Sequence, residues 1–242
     1  MGLPRVTLDQ EHSPAVAGLV VAVIPTLNEE ASIGAVVRSI PRDVVSQVIV
    51  ADGGSRDATA ARAREAGAIV IDAGHGYGRA CLLATQAAVD ADIVVFMDGD
   101  GADDLASIRA LVEPIRSGTA DFVIGSRVRG NREAGSMSWH QVAAGLAAGF
   151  GIRLLYGTRY TDMGAFRAIR RDVLLNLGMR EMTYGWNIEM QMRTARARLR
   201  ILEVPVPYHR RTGGISKVAG SLRGTLRAGF RIVSTFVRVA LG

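Results

Sequence analysis

The sequence predicts an α/β protein: a mainly parallel sheet with flanking helices, followed by a carboxyl-terminal amphipathic helix. Three observations carry this. Short apolar runs rich in β-branched residues recur at 19–24, 47–51, 68–72, 93–97 and 121–125, the length of buried strands rather than helices. Stretches of helical composition separate them, at about 31–40, 56–66, 77–89 and 104–116. That β-α-β-α alternation favours parallel strands with right-handed crossovers. Finally, the strands end in Asn, Asp and Gly, and in such a sheet these ends share the rim where ligands bind.

At 242 residues the chain suits one large domain with a modest appendage, and 48% hydrophobic content with 28 glycines and 7 prolines is globular. The single cysteine, Cys81, excludes an internal disulfide framework, fits a reducing cytoplasm and reads as a small buried helix residue. No leader pattern opens the sequence, and its longest uncharged apolar region, 142–152, is too short and glycine-rich to span a bilayer. A net charge of +6 favours anionic partners. With 5% aromatics and no recognisable nucleic-acid module, nucleic acid is set aside.

The densest chemistry follows the fourth run, where Ile93-Val94-Val95-Phe96-Met97 leads into Asp98-Gly99-Asp100-Gly101. Two carboxylates just beyond a buried strand suit Mg²⁺ or Mn²⁺ shared with nucleotide phosphates, although Asp-Gly also makes ordinary turns. An EF-hand is excluded, because Ala102, Asp103 and Arg109 stand where its loop needs other residues. Asn28 and Glu29 follow the first strand, and Asp52, placed to accept from a base N–H or a ribose hydroxyl, precedes Gly53 and Gly54. After the third strand, Gly74-His75-Gly76-Tyr77-Gly78-Arg79 lacks the last glycine of a dinucleotide fingerprint, but Arg79 at a helix start could meet a diphosphate. His12, His75, His140 and His209 make no metal-hydrolase pair, and only His75 falls near the presumed pocket. Trp139 and Trp186 read as packing residues.

Val23-Ile24-Pro25-Thr26-Leu27-Asn28-Glu29, Ala51-Asp52-Gly53-Gly54-Ser55-Arg56-Asp57 and Met97-Asp98-Gly99-Asp100 together resemble the inverting family 2 glycosyltransferases of GT-A, Rossmann-like fold. Gly125-Ser126-Arg127, Thr161-Asp162-Met163-Gly164, Gly185-Trp186-Asn187-Ile188-Glu189 and Arg211-Thr212-Gly213-Gly214-Ile215-Ser216-Lys217 are similar to the dolichyl-phosphate mannose synthase and polyprenyl-phosphate hexosyltransferase branch. The chain departs from that branch after its D-x-D, where Gly101-Ala102-Asp103-Asp104 replaces a polar pair and prolines.

The resemblance implies a metal-dependent transfer of a hexose from a UDP- or GDP-sugar to a polyprenyl phosphate. It implies a nucleotide-sugar site at Pro25, Leu27, Asn28, Glu29, Asp52, Gly78, Arg79, Asp98 and Gly99, with Mg²⁺ or Mn²⁺ on Asp98 and Asp100. It places Arg211, Ser216 and Lys217 near the acceptor phosphate, and Arg127, Asp162 and Glu189 near the chemistry. Asp162 or Glu189 would serve as base for a hydroxyl acceptor, though either could equally be structural. In this frame 1–18 is a lead-in, 19–127 the nucleotide-sugar half and 128–217 the acceptor half of one catalytic domain. The alternatives are a soluble hydroxyl acceptor, a sugar nucleotidyltransferase or a non-catalytic nucleotide-binding protein.

Residues 218–242 form the expected amphipathic helix, with Arg223, Arg227, Arg231 and Arg238 in one stripe beside a broad apolar surface. Such a helix fits the cytoplasmic face of an anionic membrane, a core-packing role or an oligomer contact.

Overall fold

The computed structural model describes residues 18–213 and 222–242, and of 222–226 the backbone alone. Strands β1 (Val20–Thr26), β2 (Gln47–Asp52), β3 (Ile69–Asp72) and β4 (Ile93–Phe96) form where the apolar runs place them. They are joined by β5 (Phe122–Ser126), β6 (Arg167–Arg170) and β7 (Ile201–Pro205). Among the described residues these make one sheet in the order β3-β2-β1-β4-β6-β5-β7. Only β6 runs against its neighbours, pairing antiparallel with both β4 and β5.

The helices cover both faces: α1 (Ile33–Ser39), α2 (Thr59–Glu65), α3 (Tyr77–Ala87), α4 (Ile108–Arg116), α5 (Trp139–Tyr156), α6 (Arg171–Asn176), α7 (Trp186–Arg196) and α8 (Leu222–Leu241). A short 3₁₀ turn, Leu105–Ser107, takes the first turn of the segment expected to be one helix. Strand periodicity divides the core. Val20, Ala22, Ile24, Ile93, Val95 and Met97 face α1, α2 and α4. Val21, Val23, Val94 and Phe96 face α3, α7 and the ends of α5 and α8. Cys81 and Trp186 are buried in this second layer, as expected. Trp139 is not packed, being 81% exposed at the first turn of α5. It sits directly after Ser138, whose capping box with Gln141 starts the helix, so it projects from an end rather than a packed face.

Strand β6 has no local apolar signature, because Arg167 and Arg170 bound it. It is a strand because Arg167, fully buried, donates to the carbonyls of Gly164, Ala165 and Asn187 and lies 5.9 Å from the Phe122 ring centroid. Through β6 and β7 the second half of the chain completes the sheet begun by the first.

Candidate active site

β4 is buried throughout and stops at Phe96, so residues 97–101 emerge at the carboxyl rim of the sheet. Ser32 Oγ donates to the Gly99 carbonyl at 2.7 Å and pins the loop. The Asp98 amide donates to Asp103 Oδ2, and the Ala102 amide to Asp100 Oδ1, each at 3.0 Å. Three carboxylates therefore share one short loop. Burial first, then Asp100 and Asp103, push the Asp98 carboxyl well above its ordinary range. Burial likewise pushes Asp103 up to about 7, against the opposing Asp98 amide.

This excess of negative charge, on hard oxygen donors, fits a divalent cation such as Mg²⁺ or Mn²⁺. Among the described residues no three His, Cys, Asp or Glu side chains form a cage alone. A cation held by Asp98 and Asp100 would complete its sphere with water and ligand phosphates, as Mg²⁺ commonly does.

An internal cation already touches the loop. Arg211 Nη2 lies 2.5 Å from Asp100 Oδ2, while the Thr212 amide and hydroxyl donate to the Asp100 carbonyl at 3.0 and 3.1 Å. The His209 amide donates to the Ala102 carbonyl at 2.9 Å, so residues 209–212 are laid over the carboxylates. Gly101 makes this approach possible: its φ is +78°, and a Cβ there would run into Thr212. Arg211 Nη1 is buried with no partner among the described residues. Ser216 and Lys217, the other expected phosphate ligands, lie outside the described residues.

A cleft of about 1040 Å³ opens over this loop. Pro25, Thr26, Leu27, Glu29 and Gly53 form one wall, with Asp98, Gly99 and Asp100 at its foot. Thr26 Oγ1 is buried there without a partner among the described residues. Asn28, Asp52, Gly78 and Arg79 do not line the cleft; they shape its walls. Asp52 accepts from the Ser55 amide at 3.0 Å and hydroxyl at 2.5 Å, and Ser55 Oγ accepts from the Asn28 amide at 2.8 Å. At Gly78 a Cβ would strike the Glu181 carbonyl, and the Arg79 amide donates to the Met182 carbonyl at 3.0 Å. That glycine serves close packing, and the Arg79 side chain is exposed. His75 lines the cleft as expected, and so does His140 from α5, which no local pattern announced.

The two carboxylates considered as bases are both engaged by donors of the chain itself. Asp162, 2% exposed, accepts four hydrogen bonds: Arg127 amide at 2.9 Å and Nε at 2.7 Å on Oδ2, Arg127 Nη2 and the Met163 amide, both at 2.7 Å, on Oδ1. Burial pushes this carboxyl up, but Arg127 outweighs it and holds the group below the ordinary range. Such a carboxylate is a poor proton acceptor. Its effect is to aim Arg127, which lines the cleft 4.9 Å from the Tyr208 ring centroid.

Glu189 does not line the cleft at all. Fully buried, it accepts from the Arg180 and Glu181 amides at 3.0 and 2.6 Å and from Arg193 Nε at 2.9 Å. It anchors the loop before α7.

The start of α5, the residues Thr183, Tyr184, Asn187 and Ile188, and α8 also line the cleft. Arg227 and Arg231 are exposed and line the cleft, and Arg238 pairs with Glu181 at 3.2 Å. The same helices also expose apolar residues: Phe230, 72% exposed, with Val233, Val237 and Leu241 on α8, and Leu154, 71% exposed, with Leu146 and Phe150 on α5.

A GT-A-like sheet whose rim joins a D-x-D loop to arginines across one cleft defines the class as a glycosyltransferase. The chain belongs to glycosyl transferase family 2, whose family model matches residues 21–178. An uncharacterised glycosyltransferase of Mycobacterium tuberculosis is 36% identical over 86% of this chain and 94% of its own length. The undecaprenyl-phosphate mannosyltransferase of Micrococcus luteus is 32% identical over 85% of this chain and 89% of its own. Among solved structures, glucosyl-3-phosphoglycerate synthase from M. tuberculosis in complex with phosphoglyceric acid is similar at a TM-score of 0.74 and 26% identity, covering 93% of this chain and 80% of that one. The same synthase is also solved with Mn²⁺, UDP and phosphoglyceric acid, at a TM-score of 0.73, 24% identity and coverage of 93% and 79%.

Proposed function

We propose that the cleft holds a UDP- or GDP-hexose over Asp98 and Asp100 with Mg²⁺ or Mn²⁺ and transfers the hexose, with inversion, to the phosphate of a polyprenyl phosphate. The observation that carries the reading is the carboxylate surplus on the β4 loop, facing arginines across a cleft with apolar flanks. A bound divalent cation supplies charge neutralisation of the leaving diphosphate. Arg127, aimed by Asp162, and Arg211 stabilise negative charge on that diphosphate as the bond from sugar C1 to oxygen breaks. A phosphate acceptor is already an anionic nucleophile and needs no base, which agrees with Asp162 and Glu189 being fully engaged.

The named function of the M. luteus relative supports the lipid acceptor. So do α5 and α8, which contain no Asp or Glu and turn apolar residues outward, as a helix lying at an anionic membrane surface does. Among the described residues no helix is long and apolar enough to cross a membrane. A second reading, a soluble phosphate-bearing acceptor, is favoured by the phosphoglyceric acid complex of the similar synthase.

The test is a turnover screen of UDP- and GDP-sugars with Mn²⁺ against a short-chain polyprenyl phosphate and 3-phosphoglycerate, measuring free nucleoside diphosphate. Transfer to phosphoglycerate alone would replace the lipid reading, and release of pyrophosphate would replace both. Flotation with anionic liposomes at low salt checks the membrane surface; protein left at the bottom of the gradient would remove it.

A further inference from the structure

Arg227 and Arg231 stand one turn apart on α8, and both side chains line the cleft. Neither has a carboxylate partner among the described residues, whereas Arg127 is paired with Asp162, Arg211 with Asp100 and Arg238 with Glu181. Apolar surface lines the same cleft, from Ala228 and Ile232 of α8, Tyr184 before α7 and Ile188 within it. Each guanidinium offers five N–H donors in a planar fork that matches phosphate oxygens. Two such groups one turn apart, uncompensated, repel each other until an anion joins them. The donor diphosphate has other cations in the same cleft, in Arg127 and Arg211 and in the divalent ion that Asp98 and Asp100 would hold.

We propose that Arg227 and Arg231 form the acceptor-phosphate subsite, binding a phosphomonoester whose remainder lies along Ala228, Ile232 and Tyr184. This rests on the cleft being a sugar-transfer site, and it turns the α8 arginines from a surface stripe into substrate ligands. It also gives the helix two duties on two faces: phosphate inside, apolar contact outside.

The test uses the full chain with Arg227→Gln, Arg231→Gln and the double variant, and three measurements. These are the acceptor KM for a short-chain polyprenyl phosphate and for 3-phosphoglycerate, the Kd for UDP or GDP with Mn²⁺, and thermal protection by inorganic phosphate. Each single variant is expected to raise the acceptor KM roughly tenfold, the size of a lost charged hydrogen bond. Nucleotide affinity is expected to stay within about twofold, and phosphate protection to vanish in the double variant. The arm whose KM responds identifies the phosphate source as lipid or soluble. Nucleotide affinity falling in step with acceptor KM would move the arginines to the donor site and overturn the proposal. Unchanged acceptor KM and unchanged phosphate protection would overturn it as well. If the wild type transfers to neither acceptor, the reading of the cleft fails while the phosphate titration still decides the subsite, for or against.

Discussion

Asp98 and Asp100 on the β4 loop, and Asp162 and Glu189 in the second half of the chain, are two pairs of acids that the sequence marks as candidates, and their surroundings differ in sign. On the β4 loop a third carboxylate, Asp103, stands close by, and burial drives the Asp98 carboxyl upward. Around the other pair every oxygen is met by amides or guanidinium groups: Asp162 by Arg127 and Met163, Glu189 by Arg180, Glu181 and Arg193. A loop left with surplus negative charge is prepared for a cation from outside. A carboxylate whose charge is already balanced holds the architecture. The lesson is that local charge balance, more than the presence of an acid, separates the two roles.

The largest effect that sharpens this contrast belongs to the β4 loop. Asp98→Asn or Asp100→Ala is expected to cut transfer on the order of 10³-fold or more. Asp98→Asn should leave thermal stability unchanged or raised, because it removes repulsion. Near-normal turnover of either purified variant in saturating Mn²⁺ would break the comparison.

Next comes Asp162→Asn, which strands the Arg127 guanidinium in a mostly buried site; about 3–5 kcal/mol of unfolding free energy should be lost. The double variant Arg127→Gln with Asp162→Asn should recover part of that stability but none of the transfer. Denaturant titration beside a turnover assay reads both, and full recovery of transfer would remove Arg127 from the chemistry.

Glu189→Gln is expected to cost about 1–3 kcal/mol of stability through its lost hydrogen bonds, while kcat of the folded fraction changes only a few-fold. A stable variant with kcat reduced a thousandfold would restore a catalytic role to Glu189.

The smallest effect lies away from the cleft, where Arg200 pairs with Asp121 at 2.6 Å. Burial raises the Asp121 carboxyl, but Arg200 outweighs it and holds it below the ordinary value. A depressed folded pKa gives stability that is present above the unfolded value, near 3.9, and lost as pH falls through the lower folded one. Asp121→Asn should therefore cost about 1 kcal/mol or less near neutrality, and nothing in strong acid. Melting temperatures from pH 2 to 7 would show this; a gap between the proteins that widens with acid would contradict the pairing.

What was legible in the sequence was local. β1 to β5 announce themselves by β-branched runs, and the D-x-D loop by its place after one of them. Strand β6 was not legible, because its identity comes from a buried arginine satisfied by carbonyls at 164, 165 and 187. The quiet roles of Asp162 and Glu189 depend on the geometry of Arg127, 35 residues away in sequence, and of a loop folded back onto α7. For α8, periodicity put the arginines on one stripe, and Arg227 and Arg231 of that stripe both line the cleft. Periodicity could not say what that stripe faces, since that is decided by how the helix docks on α7 and the cleft.

The contact between Arg211 and Asp100 has a consequence for selectivity. Two exposed carboxylates with no counter-charge would act as a general chelator and scavenge whatever divalent ion the surroundings supply. Here a tethered guanidinium sits on Asp100 and would compete with a free ion for it, so a bare cation would gain less than the carboxylate count implies. A nucleotide that arrives with its own ion also brings phosphate oxygens, which can take the guanidinium in exchange. On the proposed reading the loop would thereby distinguish an ion in solution from an ion delivered on its nucleotide, with one side chain.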